Sequence, residues 1–260
     1  MGYLERIEDC REEMVRTLQG LIAIPSVVGE PEGDMPFGKG VHEAFLYMLD
    51  LAKKEGFKTV NIDNFGGHIE FGGGLINQQG ESIDKSENIM GILTHLDVVP
   101  EGKDWEYPPY EGRVVDGRIY GRGTIDDKGP TIAAFYALKA LKDEGIIPNK
   151  KVRLILGLDE EVGTGWKGME AYFQKVEKPD FAFTPDAEFP AIHAEMGILI
   201  FELAKKIGKT LNKGIELRSL TAGNAPNMVP DHSRAVLRAD SYDDIRKSAD
   251  NFSKRDRLQD

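Results

Sequence analysis

Two short stretches limit the folds open to this chain more than any other part of it: IMGILT at 89–94 and VRLILGL at 152–158. Both are nearly continuous apolar runs, too short for helices of ordinary length. Such runs are expected of strands covered by helices on both faces, whereas a half-exposed strand alternates apolar with polar residues. Apolar residues at helical spacing over 3–20 and 39–56 supply covering helices, the second closing at Gly56 as a C-cap. A further helix is expected over 130–144, with Pro130 in its first turn. Strands are also expected at 57–62, 68–71 and 181–184, and the Gly/Pro-rich IPSVVGEPEGDMPFG reads as a loop. The expected fold class is therefore α/β, a three-layer α/β/α sandwich.

Near residue 196 the texture changes. GILIFELAKKIG and SRAVLRAD look like alternating, half-exposed strands, with TAGNAPNMVPD as a loop between them, the start of an α+β domain. Domains are therefore expected at 1–195 and 196–260. The last residues, RKSADNFSKRDRLQD, are polar and charged and offer no stop signal.

With Asp+Glu 44 against Lys+Arg 33, the formal charge is -11, which opposes binding to a phosphate backbone, so nucleic acid is not an expected partner. Cys10 is the one cysteine and cannot pair internally, and no tract resembles a signal-peptide core or a membrane span. A cytoplasmic setting is expected, without a membrane partner. Gly2 is followed by Arg6 where a myristoylation signal requires Ser or Thr.

In open α/β sheets, ligands bind beyond the carboxyl ends of the strands. In this chain the residues just past the apolar runs are acidic. His95 and Asp97 come after the first run, Asp159, Glu160 and Glu161 after the second, and Asp186 after FAFT with Glu188 beyond; Asp126 and Asp127 lie in GRGTIDDKGP before the helix at 130. Each piece has an ordinary reading: Asp-Asp before a helix caps it, Glu-Glu after a strand is a solvated loop, and His-x-Asp is a surface or packed pair. Together, so many carboxylates on one edge would repel unless a cation neutralised them, which points to a divalent metal site. A rival reading takes Gly163, Gly165 and Gly168, with Asp186 about 20 residues on as a ribose ligand, for a dinucleotide fingerprint. A pyrophosphate would then have to approach where Asp159, Glu160 and Glu161 stand, which disfavours it.

Four motifs, THLDVVP (94–100), GRGTIDDKGP (121–130), LDEEVGTGWKG (158–168) and PDAEFP (185–190), resemble in order and spacing the co-catalytic zinc exopeptidases of the aminoacylase and carboxypeptidase G type. The nearest likeness is to bacterial aminoacyl dipeptidases of the dipeptidase V type, and it runs from LIAIPSV to NMVPD. The resemblance implies the zinc-exopeptidase form of the sandwich, with a lid domain begun near 196. It implies His95 and Asp186 on a first metal, Asp126 bridging two metals, and Glu161 on the second. Glu160 would be the general base and Asp97 would orient His95. The peptide bond between Asp126 and Asp127 would be cis, and Asp127 would not be a ligand. Zinc is implied as the metal, two per site in the family, with manganese or cobalt compatible with the donor set. Dipeptides or other short peptides with a free amino end are the implied substrates.

Proteins of that type return from the lid to complete the catalytic domain and bring a histidine to the second metal. None of His42, His68, His193 and His232 lies in such a segment. The resemblance therefore implies an N-terminal portion or a degenerate relative, with one tight metal, a weak or empty second position and little peptidase activity. It also implies exposed apolar surface that favours self-association. An N-acyl amino acid deacylase of the same family would keep the metal site and change the substrate. A non-catalytic, metal-stabilised binding or dimerisation module would keep the fold but has no use for a free Glu160.

Overall fold

A computed structural model describes the chain apart from residues 1, 74, 77–81, 85–87, 163–165, 189, 195, 198, 200, 206–212, 224–228, 231 and 257–260. Two units emerge, Met1–His193 and Ala194–Asp260. The first opens with α1 (Tyr3–Asp9), α2 (Arg11–Ile22) and α3 (Lys39–Lys54), then β1 (Lys58–Asn61), β2 (Gly67–Gly72), β3 (Leu75–Ile76), β4 (Ser82–Asp84) and β5 (Ile89–His95). It continues with β6 (Arg113–Val115), β7 (Arg118–Tyr120), α4 (Lys128–Asp143), β8 (Lys151–Gly157), α5 (Lys167–Lys175) and β9 (Phe181–Phe183).

Five of these strands form one mixed sheet in the order β1-β2-β8-β5-β9. The β1–β2 hairpin joins antiparallel to β8, and β5 lies between β8 and β9, parallel to both. Because β8, β5 and β9 run the same way, the residues just past their ends gather along one edge.

The apolar runs behave as buried strands should. Val152, Leu154 and Leu156 of β8, with Ile92 and Ile69, turn to one face and join a core that includes Leu18, Leu21, Phe45, Met48 and Phe135 from α2, α3 and α4. Ile155 turns to the other face against Met169 and Tyr172 of α5, with Leu93 beside them. Alternation along a single strand thus feeds two helix layers and produces the three-layer α/β/α arrangement. A fully buried side chain such as Leu154 adds roughly 1.5–3 kcal/mol relative to leaving it in water.

Helix α3 shows how local sequence sets a boundary. Its buried residues, Val41, Ala44, Phe45, Met48, Leu49 and Ala52, recur at helical spacing. It stops where Gly56 takes φ 73; the Gly56 N–H donates to Lys53 O and the Phe57 N–H to Ala52 O, satisfying carbonyls the helix leaves open. The single helix expected over 3–20 is instead two, broken at Cys10, which ends α1 and begins α2.

The second unit holds an antiparallel pair, β10 (Glu216–Ala222) and β11 (Ser233–Arg238), and α6 (Tyr242–Asp256). The strand expected in SRAVLRAD is present as β11. No strand forms among the described residues of GILIFELAKKIG, where Leu199, Phe201 and Leu203 are exposed. An alternating pattern makes a strand only where a neighbour pairs with it and one face is covered. The polar, charged stretch near the end supplies most of α6.

Candidate metal centre

His95 is the last residue of β5 and pairs in register with Gly157 at the end of β8. Asp186 lies three residues beyond β9, and Asp126 lies in the turn just before α4. These connections bring the three side chains together. One ligand atom from each of His95, Asp126 and Asp186 lies within 4.8 Å of the others. His95 Nε2 stands 2.9 Å from Asp126 Oδ1 and 3.5 Å from Asp186 Oδ2.

The imidazole is held from behind. His95 is 1% exposed, and its Nδ1 lies 3.0 Å from Asp97 O and 3.4 Å from Asp97 Oδ1. The nearer partner that orients the ring is thus the backbone carbonyl of Asp97. The Asp97 carboxylate has a second role, since its Oδ2 accepts the Glu161 N–H at 2.9 Å. Asp127 Oδ2 accepts the backbone N–H of His95 at 3.1 Å. The peptide bond between Asp126 and Asp127 is cis, as the motif resemblance implies.

The electrostatics ask for a cation. Burial disfavours charge on the His95 ring, but its hydrogen bonds to Asp126, Asp186 and Asp97 outweigh burial and hold its pKa well above the ordinary value. Burial pushes Asp127 up to about 7. Burial, reinforced by Asp126, pushes Glu161 up to about 7 as well. Glu160 is also raised, first by burial and then by the charges of Asp186, Asp97 and Asp126. Asp97 Oδ1 and Asp127 Oδ1 are buried without a hydrogen-bond partner among the described residues. One imidazole with its far nitrogen committed, two carboxylates beside it and further acidic groups whose charge burial disfavours in the absence of a cation make a donor set that fits a divalent metal.

Residues 91–246 match the sequence profile of peptidase family M20/M25/M40, a span that contains all four motifs. The chain belongs to that family. Relatives named "Putative dipeptidase" include two from different genera. One, from Staphylococcus epidermidis, is 39% identical over 262 residues, covering 99% of this chain and 53% of its own length. The other, from Bacillus subtilis, is 41% identical over 242 residues, covering 92% and 49%. The chain thus spans about half the length of the curated relatives it matches. Human carnosine dipeptidase 1 shares the fold with TM-score 0.58 at 22% identity, over 71% of this chain and 40% of that one. An M20 family metallo-carboxypeptidase from Sulfolobus solfataricus does so with TM-score 0.52 at 23% identity, over 67% and 37%.

Within this M20/M25/M40 chain the expected site residues divide. His95, Asp126 and Asp186 converge, and Asp97 braces the first of them. Glu160 and Glu161 sit at the end of β8, outside the three-residue cluster. Asp159, counted from sequence among the converging carboxylates, turns away and accepts the Gly168 N–H through both oxygens at 3.1 Å. The amide of Gly168 is therefore already engaged, which removes one donor the dinucleotide reading needs; Gly163 and Gly165 lie outside the described residues. Lys128 escaped notice in the sequence. It is fully buried, its Nζ donates to Leu21 O at 3.0 Å and Ile24 O at 2.7 Å, and burial lowers its pKa to about 7. It ties the turn that carries Asp126 to the end of α2. Nothing in the spacing of DDKGP announces that partner, because it lies more than 100 residues away in sequence.

Proposed function

We propose that this chain carries the catalytic, metal-binding portion of a cytoplasmic metal-dependent dipeptidase that acts on short peptides with a free amino end. The observation that carries the reading is the His95, Asp126 and Asp186 cluster at the carboxyl edge of the sheet. The dipeptidase names of its relatives support the substrate class. Residues 1–195 form the catalytic portion in this reading, and 196–260 begin a lid.

Zinc is the metal that best suits one imidazole with carboxylates, and manganese and cobalt are compatible. His95, Asp126 and Asp186 hold one ion tightly. Asp126 with Glu161 offers a second, weaker position. A bound divalent metal would polarise the scissile carbonyl and lower the pKa of a water. The protein supplies the rest. Asp97 fixes the ring of His95, and Asp127 fixes its backbone. Glu160 takes the proton from the attacking water and returns it to the leaving amine. Burial and neighbouring carboxylates raise its pKa, which makes it a better base near neutrality than a solvated glutamate.

Elemental analysis and zinc titration of the protein and of His95→Ala test this reading. The expected result is about one tight equivalent in the protein, lost in the variant, because three protein ligands define a single site whose remaining position is open to water. Zinc binding no better than background would sink it.

A further inference from the structure

The segment that carries Glu160 and Glu161 is pinned at both ends by buried carboxylates. On one side, Asp97 Oδ2 accepts the Glu161 N–H at 2.9 Å. On the other, Asp159, 1% exposed, receives the Gly168 N–H on Oδ1 and Oδ2, each at 3.1 Å. Helix α5 needs that acceptor. Its N-cap residue, Trp166, has left-handed backbone at φ 48 and ψ 55 and makes no side-chain cap. The first four N–H groups of a helix have no partner within it, and Gly168 carries one of them. An aspartate nine residues upstream therefore caps the helix, where the dipole also favours its charge. The fit admits only glycine at 168: a Cβ there would lie 2.7 Å from Asp159 Oδ1 and 2.5 Å from Phe65 O.

Described residues at the two ends of this segment border open space. Asp159, Val162 and Lys167 line a cleft of about 860 Å³, with Val28, Phe37 and Phe65 on its other walls. Where packing does not hold a segment, the hydrogen bonds at its ends decide where its side chains stand. We propose that Asp159 is a positioning residue: by capping α5 it fixes Glu160 and Glu161 relative to the His95, Asp126 and Asp186 cluster. This rests on the metallopeptidase reading of that cluster.

The test is metal binding by Asp159→Ala, Asp159→Asn and Asp159→Ser. Zinc is titrated first, and manganese at millimolar concentration is then added to the zinc-loaded protein to fill the position between Asp126 and Glu161. Asp159→Ala is expected to keep the zinc equivalent within about twofold and to weaken the manganese equivalent about 10- to 100-fold, the range for losing a group that orients a ligand. Asn keeps an acceptor oxygen for Gly168 and should restore most of the loss. Ser, a good cap with a shorter reach, should fall between, and it decides the matter if the alanine variant does not fold. Manganese binding unchanged in Ala or Ser overturns the proposal, as does a protein that binds zinc but no manganese. A protein that binds no zinc removes the metallopeptidase reading itself and takes the positioning role with it, so the zinc step separates the two failures.

Discussion

Glu160 and Glu161 are adjacent and chemically identical, yet the proposed reaction gives one the proton and the other a metal. Glu160→Gln is therefore expected to leave zinc affinity unchanged while lowering dipeptide turnover about 10²- to 10⁴-fold. Parallel loss of metal and turnover would mean that Glu160 is itself a ligand. A second prediction concerns a histidine the chemistry does not use. His68 is 3% exposed, with Nδ1 2.6 Å from the Tyr172 hydroxyl and Nε2 3.8 Å from Glu70 Oε2. Burial first, then the Arg153 guanidinium, pushes its pKa down to about 4 from 6.5. Between these values the unfolded chain binds a proton that the folded chain does not. The stabilisation is thus fully present above about 6.5 and is lost as pH falls toward about 4, amounting to at most about 3 kcal/mol. Urea melts at about pH 7 and about pH 4.5 should show a larger acid loss in the wild type than in His68→Gln. Equal losses would remove the claim. At this scale the sequence revealed residue types and spacing but not direction: Asp159 and Glu160 are indistinguishable as letters, and the partner that turns Asp159 away is an amide across a loop.

Elements were legible in proportion to their length and burial. β5 and β8 are covered on both faces, so their continuous apolar runs leave no rival reading, and α3 and α4 repeat their apolar residues over several turns. The β6–β7 hairpin escaped because strands of three residues are too short to display a period. Helix α6 escaped because its composition is polar, and its favourable signals are local ones: Ser241 before it, which accepts the Asp244 N–H at 3.3 Å, and Asp243 and Asp244 in its first turn. Where a boundary residue has one physical job, as at the end of α3, it could be named in advance. Gly56 at φ 73 admits no side chain without strain, and Gly56→Ala is expected to destabilise the protein by about 1 kcal/mol, read as a lower urea midpoint with unchanged slope. An unchanged midpoint would show that the helix can end another way.

At the scale of the whole molecule, the two edge strands of the central sheet differ in what they expose. β1 closes one edge with a short, half-exposed strand, whereas β9 stands at the opposite edge with Phe181 47% and Phe183 50% exposed. Among the described residues no strand pairs with that edge, and an edge bearing two aromatic rings on one face is a template for another strand. Lys150 lies 5.7 Å from the Phe181 ring and supplies a positive charge nearby, a partial guard against such pairing. The formal charge of -11 works in the same direction by keeping copies apart at low salt. These opposing terms give a specific expectation. Sedimentation at rising protein concentration should show reversible self-association that strengthens with added salt, because screening removes the repulsion but not the apolar contact. Phe183→Lys places a charge on the edge and should return the protein toward monomer. A wild type that remains monomeric at high concentration and high salt would mean that the β9 edge is protected by something other than charge, and the exposed rings would then need a different explanation.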